Sequence, residues 1–140
     1  MNHRISLGPV TIAAEPSWLD ITKEGEPLTL ARADGEGALQ FSFGIYKSGS
    51  IPRPSIDDLK RFLLEFAESR DLGKPFDVLG CDGEIRWVAG SFRADDDFIR
   101  AWYLYQNGSF CLATYVCQSG AEHGELPEIV EMMSTLRFSG

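Results

Sequence analysis

The stretch Asp95–Cys117, DDDFIRAWYLYQNGSFCLATYVC, decides the architecture. Asn107-Gly108 sits between two runs rich in aromatic and β-branched residues, a strong short-range signal for a β-hairpin. A two-residue turn pairs Gln106 with Ser109 and fixes the register of every residue behind them. One face of the hairpin then carries Ile99, Ala101, Tyr103, Tyr105, Phe110, Leu112, Thr114 and Val116. The other carries Phe98, Arg100, Trp102, Leu104, Cys111, Ala113, Tyr115 and Cys117. A sheet wetted on one side alternates cleanly between apolar and polar residues. Neither face here is properly polar, so both must be covered, by helices or by another chain.

Working outward, Phe76–Cys81 and Glu84–Arg93 read as another hairpin around Asp82-Gly83. Ahead of it, Ser55 followed by Asp58 resembles a capping box. The stripe Ile56, Leu59, Phe62, Leu63 and Phe66 then predicts a helix ending near Arg70. Ala38–Tyr46 alternates Leu39, Phe41, Phe43 and Ile45 against Gln40, Ser42 and Gly44, which predicts a strand. Ser48–Pro54, with two prolines, reads as a loop. Val10–Ala14 and Leu28–Ala33 are shorter strand candidates, and Glu15-Pro16-Ser17-Trp18 breaks the first. Near the C-terminus, Pro127 suits the first turn of a helix whose stripe is Ile129, Val130, Met133 and Leu136. Strands, a helix, two hairpins and a helix make an α+β domain with a mainly antiparallel sheet.

The bulk numbers fit one domain over residues 1–140. The chain has 140 residues, 44% of them hydrophobic and 24% charged, which is ordinary for a globular protein. A chain of this size needs no disulfide or metal to fold. The formal charge of −8 disfavours nucleic acid, whose phosphates need clustered cations, and suits a basic partner or simple solubility. Ile5–Ala14 is interrupted by Gly8 and Pro9, too short for the apolar core of a secretory signal, and no run is long enough to cross a membrane. The expectation is therefore a cytoplasmic protein without membrane insertion. Cys81, Cys111 and Cys117 make an odd, unpatterned set that fits a reducing compartment. Cys111 and Cys117 would lie about 20 Å apart along one strand, too far to bond each other. Asn107-Gly108-Ser109 matches a glycosylation sequon, but the tight turn accounts for it.

The layout resembles the PsbP/Mog-like fold group. That group includes the extrinsic P protein of photosystem II, the Ran-binding Mog protein, DcrB-type lipoproteins and the Eag-type chaperones of type VI secretion. The resemblance rests on the early strand running into Glu15–Trp18, the strand Leu39–Tyr46 leading to the helix Ile56–Glu68, the hairpin Phe98–Cys117 and the closing Ile129–Phe138, IVEMMSTLRF. It covers nearly the whole chain as element order. It implies a sheet with helices on both faces, and binding rather than catalysis. No lipobox cysteine or transit peptide is present, and no functional residue carries over.

No catalytic set accompanies this layout. His3 and His123 are far apart in sequence and no metal-ligand spacing occurs. Asp95-Asp96-Asp97 lacks the spaced oxygens of a calcium loop and reads as a solvated turn. Gly35-Glu36-Gly37 is a turn rather than a nucleotide fingerprint, and Asp57-Asp58 complement the helix dipole. Cys117 and His123, with Glu122 and Glu125 nearby, admit a thiol enzyme only if the chain folds them into contact. Trp and Tyr are favoured at binding hot spots and in sheet cores alike. The expectation is thus a small acidic binding module acting on a protein partner, with homodimerisation compatible. Its candidate surface is Trp87, Arg100, Trp102 and Tyr115, or the Ser48–Pro54 loop; Arg100 is expected opposite Tyr115, either stacked there as a cation–π pair or marking where that face meets solvent or a partner. A pocket for a small apolar ligand is the alternative, with no cofactor or metal expected.

Overall fold

The computed structural model describes residues 3–45 and 53–138. The strands are β1 (His3–Leu7), β2 (Val10–Ala14), β3 (Trp18–Asp20), β4 (Leu28–Arg32), β5 (Ala38–Ile45), β6 (Phe76–Asp82), β7 (Arg86–Ala94), β8 (Asp97–Gln106), β9 (Ser109–Gln118) and β10 (Arg137–Phe138). Two helices interrupt them, α1 (Ile56–Ser69) and α2 (Glu122–Ser134). Seven strands form the main sheet in the order β3-β4-β5-β9-β8-β7-β6, and β1-β2-β10 form a second, three-stranded sheet. All paired strands are antiparallel. The chain is α+β, as the sequence implies.

The hairpin register is the predicted one: Gln106 faces Ser109, and the pairing runs back to Asp97 and Gln118. Each face has its own cover. Ile99, Ala101 and Tyr105 share a core with Leu59, Leu63, Phe66 and Ala67 of α1. The capping box holds α1 at its start: Ser55 Oγ accepts from Asp58 N at 3.0 Å, and Asp58 Oδ2 accepts from Ser55 N at 2.9 Å. Donation from the Ser55 backbone N–H, then from the Ser55 hydroxyl, favours the ionised Asp58 side chain and lowers its pKa. A Cβ on Gly90 would stand 2.9 Å from Leu63 Cδ2, so the bare backbone of β7 lets α1 settle closely.

The opposite face differs from a plain helix layer. Phe98, Trp102, Leu104, Cys111, Ala113 and Tyr115 pack with Leu7, Val10 and Ile12 of the small sheet and with Ile129, Met132 and Met133 of α2. β1 and β10 escape a local reading because their only strand partner is β2, and β10 is two residues long. Trp18 is fully buried beneath them, its indole N–H donating to Glu128 Oε1 at 3.3 Å.

α2 begins five residues before Pro127, not at it. Its first turn is drawn down by two buried carboxylates. Glu122 accepts from Arg93 Nη2 and from Gly120 N, and Glu125 Oε1 accepts from Tyr115 Oη at 2.8 Å and Gly37 N at 3.0 Å. Burial alone would raise the Glu122 pKa, but these donors outweigh it and hold the pKa below the usual range. A Cβ on Gly37 would lie 2.6 Å from Val116 O, so only glycine lets this turn reach Glu125.

β6 is an open edge of the main sheet, and its pairing with β7 slips between Phe76 and Leu79. Asp77 lies in that slip with a φ of 51°, so the strand is bent at its outer edge.

Glu125→Ala should cost about 3 kcal/mol in urea unfolding, because it leaves the buried Tyr115 hydroxyl and the part-buried amides of Glu36 and Gly37 without their acceptor. The exposed Glu65→Ala should change stability by less than about 0.5 kcal/mol.

Candidate functional site

Register on the α2-covered face places three cross-strand rows side by side. Cys81 faces Trp87, Trp87 faces Leu104, and Leu104 faces Cys111. Leu79, Ala89, Trp102 and Ala113 form the next row. Phe76, Ser91, Arg100 and Tyr115 form the third. α2 and the small sheet do not extend over the β6 end of these rows, where Leu79 is 58% exposed and Phe76 37%. Val130, on the outer side of α2, is 49% exposed.

Between them lies a cavity of about 240 Å³ lined by Trp87, Trp102, Leu104, Val130, Met133 and Ser134. Its walls are almost wholly apolar. It falls short of the roughly 300 Å³ at which pockets for drug-sized ligands begin. Three larger recesses, about 430, 510 and 720 Å³, lie beside α1, at the hairpin tips and beside Arg137, and charged or amide side chains line part of each.

Of the four residues singled out as a surface, the structure brings Trp87 and Trp102 into the wall of this groove and sets Arg100 behind them, against the Trp102 ring. It leaves only Trp87 half-open to solvent. Trp102 is 4% exposed, Arg100 5% and Tyr115 fully buried, so these three form no outer surface in the single chain. The cause is the intramolecular cover: Tyr115 is roofed by α2 through Glu125 and flanked edge-on by Phe98 at 6.3 Å. Its hydroxyl pKa is raised, first by burial and then by its contacts with Cys117 and Glu125. Residues 48–52 of the Ser48–Pro54 loop lie outside the described residues.

Arg100 faces Tyr115 across the strands, but its guanidinium stacks on Trp102, with Cζ 5.6 Å from the ring centroid. Nη1 donates to Asp77 O at 3.0 Å and to Ser91 Oγ at 2.8 Å. Burial lowers its pKa, and the more distant Asp77 charge works against that. An arginine remains charged throughout the physiological range even so. Beside it, Arg93 caps Phe76 and Phe98 at 5.6 and 5.2 Å while its Nη2 binds Glu122.

The thiols do not form a reactive site with histidine. Cys111 and Cys117 are buried. Burial pushes the Cys111 thiol up to about 12. It raises Cys117 too, helped by Glu122, Glu125 and Asp97 and opposed by the Tyr115 hydroxyl. Nucleophilic cysteine needs the thiolate, so these surroundings work against one. The His123 side chain is 81% exposed, and its Nε2 lies 3.9 Å from Glu122 Oε2 instead of pairing with Cys117. Among the described residues no cluster of three or more His, Cys, Asp or Glu side chains could hold a metal ion. Asp95-Asp96 form the tight turn between β7 and β8, with Asp95 at a φ of 55°.

A main antiparallel sheet, covered by a helix on one side and by a small sheet with a second helix on the other, defines the class of domain. No protein-family model matches the sequence, and no curated protein matches it either. Solved structures do match. The chain is similar to the solution structure of cyanobacterial PsbP (CyanoP) from Synechocystis sp., with a TM-score of 0.65 and 11% identity, over 98% of this chain and 92% of that one. It is equally similar, at a TM-score of 0.65 and 11% identity, to a crystal structure from Bacteroides thetaiotaomicron, covering all of this chain and 50% of that one. The fold is PsbP-like, as the element order implies, and at this identity the likeness shows the fold alone.

A thiol-specific colorimetric reagent at pH 8 should modify one cysteine, the exposed Cys81, in the native protein and all three after denaturation. Cys81→Ser should abolish the native reaction.

Proposed function

We propose that the protein is a small non-enzymatic binding module that engages a protein partner through the groove between α2 and the β6–β7 hairpin. One observation supports the reading above the others. The apolar side chains of Leu79 and Val130 are solvent-exposed beside a half-buried Trp87 and an apolar cavity, and Phe76 is exposed further along the same face. Exposed apolar groups clustered around an aromatic residue, rather than scattered, are the usual mark of a contact surface. The cavity is the size for one large side chain rather than a drug-sized molecule, which favours a polypeptide over the alternative of a free apolar ligand.

A cytoplasmic setting, an adaptor, immunity or chaperone role, no contact with nucleic acid, and a self-pairing through the same groove belong to this reading. Among the described residues no helix is long and apolar enough to cross a membrane. The buried, thiolate-disfavouring settings of Cys111 and Cys117 weigh against a thiol enzyme.

Val130→Asp places a charge on the exposed rim and should leave folding intact, while Trp87→Ala removes the anchor. Each should weaken capture of a partner from the native cell by at least about 30-fold, the scale of a 2 kcal/mol hot spot. Light scattering on the same variants separates self-pairing from a foreign partner. Capture at wild-type strength by both variants would sink the groove as the contact site.

A further inference from the structure

Arg100 carries a charge that no carboxylate pairs among the described residues. Its residue is 5% exposed, and Nε and Nη2 are the atoms through which it still touches solvent. Both of its hydrogen bonds leave from Nη1, one to the Asp77 carbonyl and one to the Ser91 hydroxyl. Among the described residues Nε and Nη2 have no partner, and no carboxylate lies within ion-pair distance of the group. Arg32, Arg61, Arg86 and Arg93 all have such a carboxylate. Nε and Nη2 together form the fork of donors that matches the two oxygens of one carboxylate. A largely buried cation is costly unless it is paired, by several kcal/mol per ion. Bracing the bent strand β6 through Asp77 O explains one nitrogen and leaves the fork unused.

The fork belongs to the groove. Arg100 and Trp102 are two residues apart on one face of β8, and the guanidinium lies against the Trp102 ring. Trp102 is at the same time a wall of the 240 Å³ cavity. An apolar hole for one side chain therefore adjoins an unpaired double donor for one carboxylate. The only polypeptide position that offers both groups on a single residue is a carboxy terminus ending in a large apolar amino acid. Recognition of a free chain end by fixed donors beside a side-chain pocket is an established mode of peptide binding.

We infer that the groove receives the C-terminus of a partner polypeptide, with its last, large apolar side chain between Trp87, Trp102 and Met133 and its α-carboxylate on Nε and Nη2 of Arg100. This rests on the binding-module reading and gives that module its partner's chemistry. It also accounts for a cationic fork in a chain whose net charge is −8.

The test uses the full chain labelled with ¹⁵N and the smallest mimics of such an end: N-acetyl-L-leucine and N-acetyl-L-phenylalanine, each as the free acid and as the primary amide. The free acids should shift the indole N–H signals of Trp87 and Trp102 and leave Trp18 in place. They should bind at least about 10-fold more tightly than the amides, the scale of one charge-assisted hydrogen-bond pair. Arg100→Gln should erase the preference for acid over amide while both still bind weakly. The acid–amide comparison on the wild-type protein stands even if that variant fails to fold. Equal binding of acid and amide at Trp87 and Trp102 would overturn the carboxylate inference and leave the groove as an apolar contact site. Shifts confined to residues outside the groove, or none at saturating millimolar ligand, would overturn the inference as well. The partner-capture experiment with Val130→Asp would then decide the binding-module reading separately.

Discussion

A sheet that is apolar on both sides cannot exist alone in water, and the rest of this chain is arranged to meet that constraint. One side is met simply: α1 follows the capping box at Ser55 and lays Leu59, Leu63 and Phe66 across β7 and β8. The other side is met by pieces from opposite ends of the chain. β1 and β2 arrive from the N-terminus and β10 from the C-terminus, and α2 completes the layer. What fixes α2 there is largely polar. Glu125 ties it to Tyr115 on β9 and to the turn before β5, and Glu122 ties it to Arg93 on β7. A helix held at its start by directed bonds sits at a defined angle, and the angle decides what it leaves uncovered.

What it leaves uncovered is the β6 end of the sheet face. The groove there exists because α2 stops short of Trp87 and Leu79, while further in the same cover closes over Tyr115 and most of Trp102. Packing and chemistry follow together. The sealed part raises the thiols of Cys111 and Cys117 out of the reactive range. At the border of the open part the Trp102 ring stands beside a guanidinium whose fork has no partner among the described residues.

The core of the architecture was legible in the sequence because Asn107-Gly108 admits one register, and that register sorts every side chain of β8 and β9 onto one face or the other. α1 was legible because its cap and stripe are local. The second sheet was not, since β2 and β10 meet only after more than a hundred intervening residues and share two residue pairs. The start of α2 was hidden for another reason. Glu122 and Glu125 look like solvated acids in a sequence, and only the fold supplies the donors that bury them. The same ignorance of the cover made Trp102, Arg100 and Tyr115 look like surface candidates. Periodicity shows that a face is apolar, not which half of it stays open. That Arg100, although it faces Tyr115, would lean on Trp102, two residues along its own strand, goes with its bond to the Asp77 carbonyl, which a bend in β6 brings within reach.

That bend has a further effect. An open edge strand carrying exposed apolar side chains is ordinarily a template on which other chains polymerise. In β6 the irregularity at Asp77 interrupts the row of outward-facing amides and carbonyls, and Lys74 and Asp82 flank the strand with charge. A long incoming strand would find no continuous ladder to extend. The bend therefore works against fibre growth from an edge that keeps Leu79 and Phe76 in water.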